Sequence, residues 1–231
     1  KVTLSELYQR LEFNGLLASI DATALPVVEA DEAPTPPPIA TKYHTVTTEV
    51  AWQQLLQRMT EARAFAFDTE TTSLNYKEAK IVGFSVCMVV GEAYYVPLAH
   101  NYLGTPEQLD RIKTLAELKP LLENPHIGKI GQHLKYDTHV LANHGIDLQG
   151  IVFDTMLASY VLDATATRHN MDDLAKYYLN YQTTTFEDLA GKGVKQLCFD
   201  EIDIEAASHY ACEDADITLR LKEVFMPMLL A

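Results

Sequence analysis

Between residues 64 and 98 the chain runs through three strand-like stretches with only short connections: AFAFDTE (64–70), IVGFSVCMVV (81–90) and EAYYVPL (92–98). The last two meet at Gly91, the tight turn of a hairpin, so the sheet starts antiparallel. Past Pro106 the pattern changes to alternation. A helical stretch runs through Leu122, a short strand follows at 127–130, then a helix over 133–143 stopped by Gly145, and a strand at 151–154. Helices fill the rest, including one over 171–179 behind Asn170 as cap and a long one over 204–225. Antiparallel strands followed by strand–helix alternation predict an α/β chain, a mixed sheet covered by helices on both faces.

The start of the chain reads differently. Leu4, Leu7, Tyr8 and Leu11 fall at helical spacing within residues 3–19, an amphipathic helix. Residues 22–41 then carry Pro26, the acids Glu29, Asp31 and Glu32, and the PTPPP tract at 34–38, a stretch that extends but packs no core. Residues 1–41 are thus expected to be helix and linker, and residues 42–231 the folded domain. Its first helix is expected over 48–62, with Val50, Leu55, Leu56 and Met59 on one face and Thr47 or Thr48 as cap.

Lys plus Arg number 18 against 32 Asp plus Glu, a net charge of −14. That is the wrong sign for a chain that grips nucleic acid by basic patches alone. Divalent cations held by clustered carboxylates would reverse the sign locally. No apolar run is long enough for a membrane span, and the first residues lack the apolar core of a signal peptide, so a cytoplasmic protein with no membrane partner is expected. Cys87, Cys198 and Cys212 have neither disulfide nor zinc spacing and are expected as reduced thiols. The 8 histidines are scattered without paired zinc spacing. The phosphate-loop, HExxH and GxSxG patterns are absent.

Asp68 and Glu70 stand two apart at the end of the first strand, so both point to one face and can reach one cation. Taken singly, such a pair also reads as a solvated turn. The difference lies in Phe65, Ala66 and Phe67, apolar throughout as in a strand buried on both faces. The acids then emerge at the edge of the core, where ligands gather in α/β sheets. Asp214 lies on the long last helix with Tyr210 four residues before it, on the same face. Asp137 follows Tyr136 on the helix over 133–143. Each of these acids alone reads equally as a solvated helix residue. Together, four carboxylates and a tyrosine on rigid elements suit Mg²⁺ or Mn²⁺, and two such ions stabilise the attacking and leaving oxygens of an in-line phosphoryl displacement.

FAFDTETTSL, GQHLKYD, FDTMLASYVL, RHNMDDLA, TTTFEDLAGKG and YACEDADITLRL resemble, in order and spacing, the 3′→5′ proofreading exonuclease domain of bacterial DNA polymerase I. The resemblance runs from Tyr43 to the C-terminus. It implies the tyrosine class of DEDD exonucleases, with a ribonuclease H-like fold. It also implies that residues 1–41 are the tail of an upstream 5′-nuclease domain, and that a polymerase domain of the same parent chain would follow Leu230.

Carried over residue by residue, the resemblance makes Asp68, Glu70 and Asp214 ligands of the tighter of two divalent cations, Mg²⁺ or Mn²⁺, with Zn²⁺ acceptable at that site. Asp68 is shared, and Asp137 serves the second ion in part through water. Tyr210 orients the attacking water. Leu74 and Phe186 wedge against the terminal bases, and Gln132, His133, Tyr136 and Arg168 stand where the family touches the strand. His133 departs from the Asn common in the family, exchanging an amide for an imidazole. DEDD enzymes also have a histidine class, with His five residues before the last Asp, and here both His209 and Tyr210 precede Asp214. An offset of four turns about 400° and returns to the Asp face, whereas five turns about 500°, which favours Tyr210. The implied substrate is the 3′ end of single-stranded or frayed DNA, acted on by a monomeric, nucleoid-associated enzyme. The alternatives are an RNase D-like exoribonuclease and a catalytically inactive structural module.

Overall fold

The computed structural model describes residues 2–11, 13 and 40–231. They belong to two units, Lys1–Pro38 and Ile39–Ala231, a division close to the one expected at residue 41. In the first unit, helix α1 spans Val2–Arg10. The rest of the expected N-terminal helix beyond Phe13 and the Pro-rich stretch up to residue 39 lie outside the described residues.

The second unit is built on the strand pattern read from the sequence. Strands β2 (Ala64–Thr71), β3 (Ile81–Val89) and β4 (Glu92–Pro97) form an antiparallel meander. Its β3–β4 turn is made by Gly91 at φ 85°, a conformation open to glycine at little cost. Strands β5 (Gly128–Gly131) and β6 (Ile151–Asp154) add in parallel beside β2. The other edge holds a strand that the sequence pattern did not announce, β1 (Lys42–Thr45), which runs parallel to β4. Its four residues show no buried–exposed alternation, so it carries no period-two signal. The six-stranded order is β1-β4-β3-β2-β5-β6.

Side chains on the two faces of β2 part into separate cores. Phe65 and Phe67 pack with Phe84 and Val86 against helices α2 (Glu49–Glu61), α3 (Arg111–Leu122) and α4 (Leu134–Asn143). Ala66 faces the other way, with Val82, Cys87 and Tyr95, onto helices α5 (Thr155–Leu162), α6 (Met171–Leu179), α7 (Phe186–Ala190) and α8 (Ile204–Leu230). Each large apolar side chain buried in these layers contributes roughly 1.5–3 kcal/mol by leaving water. Helix α2 starts at Thr48, whose hydroxyl accepts the Ala51 N–H at 3.3 Å. Its buried face is Trp52, Leu55 and Met59. Val50, expected on that face, is exposed, because Trp52 fills the place against Phe84.

Because side chains alternate along β2, Asp68 and Glu70 share the face of Ala66, toward α8, and Thr69 shares the face of Phe67, toward α4. That division positions the site.

Candidate active site

On the α8 side, one oxygen each of Asp68, Glu70 and Asp214 lies within 4.8 Å of the others. Two of these acids come from one strand and the third from a helix packed across it, which is why a sequence gap of 144 residues closes to one cluster. Burial, followed by the repulsion of Asp137, Glu70 and Asp214, holds the Asp68 carboxyl well above the usual range. Burial and then Asp214 and Asp137 do the same to Glu70. Asp214 is raised by burial, by Glu213 and by Asp172, and the Tyr210 phenol is the one group that favours its ionised form.

Two buried oxygens on this face have no hydrogen-bond partner, Glu70 Oε1 and Ser85 Oγ. Ser85 is the cross-strand neighbour of Asp68. Crowded carboxylates, one of them buried with an unpartnered oxygen, are costly unless a cation joins them, and the all-oxygen donor set suits a hard divalent ion.

Asp137 reaches the cluster from the other side of β2. Its Oδ1 accepts the Thr69 N–H at 3.0 Å and the Thr69 hydroxyl at 2.5 Å. It stands outside the trio but is the largest source of repulsion on Asp68. Burial pushes its own carboxyl up to about 6 against the Thr69 bonds that lower it. Far from being a solvated helix acid, Asp137 is buried. Thr69, the middle residue of DTE, is what holds it, a role the sequence reading missed.

Tyr210 lies one helical turn before Asp214. Its ring meets Phe186 and Phe199 at 6.4 and 6.2 Å between centroids. Burial and then Asp214, Glu70 and Asp68 raise the phenol, so it stays protonated and acts as a hydrogen-bond donor. His209 is exposed and packs edge-on to Tyr43 at 5.5 Å. Of the other acids in EDAD, Glu213 accepts from the Tyr181 hydroxyl at 2.7 Å and the Thr184 N–H at 2.6 Å. Asp216 is fully buried and accepts from Tyr43 Oη at 2.9 Å, Gly91 N at 2.7 Å and Arg220 Nη2 at 2.5 Å. Both hold the fold together, and only Asp214 faces the trio.

Behind Glu70 stands a brace that the sequence did not disclose. Glu70 pairs across the sheet with Gly83. A Cβ at Gly83 would lie 2.3 Å from the Tyr95 hydroxyl, which therefore occupies that space beside Glu70. Tyr95 Oη is 2.7 Å from His100 Nε2, and His100 Nδ1 is 2.9 Å from the Ile202 carbonyl. A carbonyl only accepts, so Nδ1 carries the proton and Nε2 accepts from Tyr95. Burial depresses the His100 pKa and keeps the ring neutral.

The remaining expected residues differ in exposure and in what holds them. Leu74 is 95% exposed in the loop after β2. That loop is pinned by Tyr136, whose hydroxyl donates to the Ser73 carbonyl at 2.5 Å and meets Thr71 Oγ1 at the same distance. Phe186 is half-buried and stacks on Phe199, with 6.4 Å between centroids. Arg168 is exposed, 3.8 Å from Asp173. Gln132 is bonded at both ends of its amide: Nε2 donates to the His169 carbonyl at 2.9 Å, and Oε1 accepts from Thr155 Oγ1. His133 is exposed in the left-handed region at φ 61° and makes no side-chain cap. Histidine tolerates that conformation better than most side chains. Helix α4 is capped instead by Asp154, which accepts the N–H groups of His133 at 3.2 Å and Leu134 at 2.8 Å while also capping α5 through Leu157 at 3.1 Å.

Clustered carboxylates at the C-terminal edge of a central strand of a mixed sheet have the donor chemistry that metal-dependent phosphodiesterases use. A family model described as 3′-5′ exonuclease matches residues 43–230, and the chain belongs to that family. It is 51% identical over 228 residues to DNA polymerase I of Pseudomonas aeruginosa, a match that covers 98% of this chain and 25% of that protein. The chain spans about a quarter or less of the curated DNA polymerases it matches. Among solved structures, Brucella melitensis NrnC with bound Mg²⁺ superposes with a TM-score of 0.56 at 20% identity, covering 83% of this chain and 82% of that one. Escherichia coli RNase D, an exoribonuclease involved in structured RNA processing, gives 0.58 at 17% identity over 81% of this chain and 45% of its own. These likenesses bear out the ribonuclease H-like exonuclease fold. No helix among the described residues is long and apolar enough to cross a membrane.

Proposed function

We propose that this 3′-5′ exonuclease removes mononucleotides from the 3′ end of single-stranded or frayed DNA, as the proofreading unit of a DNA polymerase I. The observation that carries the reading is the trio Asp68, Glu70 and Asp214 within 4.8 Å. The 51% identity to a DNA polymerase I supports DNA as substrate, and it supports residues 1–41 as part of the segment that joins this domain to an upstream one. The likeness to RNase D is one of fold alone.

Asp68, Glu70 and Asp214 would hold one divalent cation, and Asp68 with Asp137 a second. Such a pair supplies Lewis-acid stabilisation to the attacking and leaving oxygens of an in-line displacement. The protonated Tyr210 phenol orients the attacking water as a donor. Leu74 and Phe186 part the terminal bases, which favours unpaired ends because they reach the site without the cost of melting. Tyr136, His133 and Arg168 flank the strand, and Gln132 keeps one amide N–H for it, the other being bonded to His169.

Digestion of 3′-labelled and 5′-labelled single-stranded DNA, and of RNA of the same sequence, tests this reading. Stepwise release from the 3′ end of DNA with Mg²⁺ and none with EDTA is expected. Asp68→Ala/Glu70→Ala should be slower by about a thousandfold or more, roughly 4 kcal/mol of barrier. Faster cutting of RNA overturns the DNA assignment, and full activity of the double variant overturns the site.

A further inference from the structure

The loop 163–169 and α6 form a cleft lined by Thr165, Thr167, Arg168, Asp173, Lys176 and Tyr177. Asp173, Lys176 and Tyr177 share one side of α6, being three and four residues apart. The preceding residue, Asp172, turns toward the centre, where its charge acts on both Asp214 and Tyr210. Helix α6 packs on α8, the helix that carries Asp214, and Gln132 ties the cleft's loop to the end of β5 through the His169 carbonyl.

The lining has the make-up of a single-strand groove. In a chain of net charge −14, it brings together Arg168, paired loosely with Asp173, and Lys176, which makes no ion pair among the described residues. Tyr177, which lines the same cleft, has an exposed ring. It is braced edge-on by Tyr178 at 4.8 Å, and Tyr178 rests on the buried Phe225 at 4.7 Å. An aromatic face already held in place loses little freedom when a base stacks on it.

We propose that this cleft is a subsite for nucleotides upstream of those at the acid cluster, with a base stacked on Tyr177 and phosphates met by Lys176 and Arg168. The assignment rests on the exonuclease reading of the site.

Initial-rate kinetics with Mg²⁺ on a thymidine trinucleotide, which on this assignment is too short to reach the cleft, and on an octanucleotide test the subsite. Tyr177→Ala should raise KM for the octanucleotide about tenfold, and Lys176→Gln about threefold. KM for the trinucleotide and kcat for both lengths should stay at wild-type values. Tyr177→Phe, which keeps the ring, should match wild type. An unchanged octanucleotide KM in Tyr177→Ala, or an equal rise for both lengths, overturns the subsite. A wild-type chain that releases nothing from either oligonucleotide overturns the exonuclease reading and the subsite with it.

Discussion

The Tyr95 hydroxyl stands on the sheet face next to Glu70 in the space that a side chain at position 83 would need. Held by His100 and through it by the Ile202 carbonyl, it links β4, on the face that Glu70 shares, to the turn before α8, the helix that carries Asp214. Tyr95→Phe keeps the ring but leaves His100 Nε2 unpaired and buried, which costs about 1–3 kcal/mol of stability. Urea unfolding should show that loss, and calorimetry should show Mn²⁺ binding weakened several-fold. A stability loss with unchanged Mn²⁺ affinity would confine the brace to the fold. At this scale the sequence spoke unevenly. Asp68 and Glu70 were legible because strand period two puts them on one face. Tyr95, His100 and Thr69 were not, because their partners are brought together only by strand pairing and packing.

Among the elements, the strands β2 to β6 and the helices α2, α3, α4, α6 and α8 follow the sequence periodicity closely. Strand β1 escaped it, since a half-exposed edge strand of four residues has no alternation to read. The start of α4 escaped it too. Its cap comes from Asp154, about 20 residues downstream at the head of α5, whereas capping rules look to the residue before the helix. One carboxylate thus fixes two helix starts, and α4 carries Tyr136 and Asp137. Asp154→Ala should cost more than the ~1 kcal/mol of a single lost cap, on the order of 2 kcal/mol. Asp154→Asn, which retains one acceptor oxygen, should recover part of it. Thermal unfolding of both variants checks this, and a cost below that of one cap would show that water replaces the carboxylate.

For the whole molecule, the acid cluster sets a link between pH, metal and stability. The Asp137 carboxyl titrates near 6 in the folded chain against about 3.9 when unfolded. The folded state therefore binds this proton more tightly. The gain from this group is full below about pH 3.9, declines as pH rises toward 6, and is gone once pH has passed through 6. Asp68, Glu70 and Asp214 are displaced in the same direction. Metal-free protein should accordingly melt higher at pH 5.5 than at pH 7.5, by roughly 1 kcal/mol from Asp137 alone, or about 2–4 °C. Saturating Mn²⁺ should raise Tm at pH 7.5 and abolish the gain on acidification, since cation and proton relieve the same repulsion. A Tm that falls steadily on acidification without metal would contradict the buried charge of the cluster.

Tyr43 of β1 donates to Asp216, two residues along α8 from Asp214, and β1 begins within four residues of the boundary between the two units. The strand that opens the domain is thus a mechanical tether. Tension applied to the chain near residue 40 would run into the β1–β4 ladder and, through the Tyr43–Asp216 and Thr45–Ser208 hydrogen bonds, into the helix that carries the cluster's third acid, instead of dissipating in a loop.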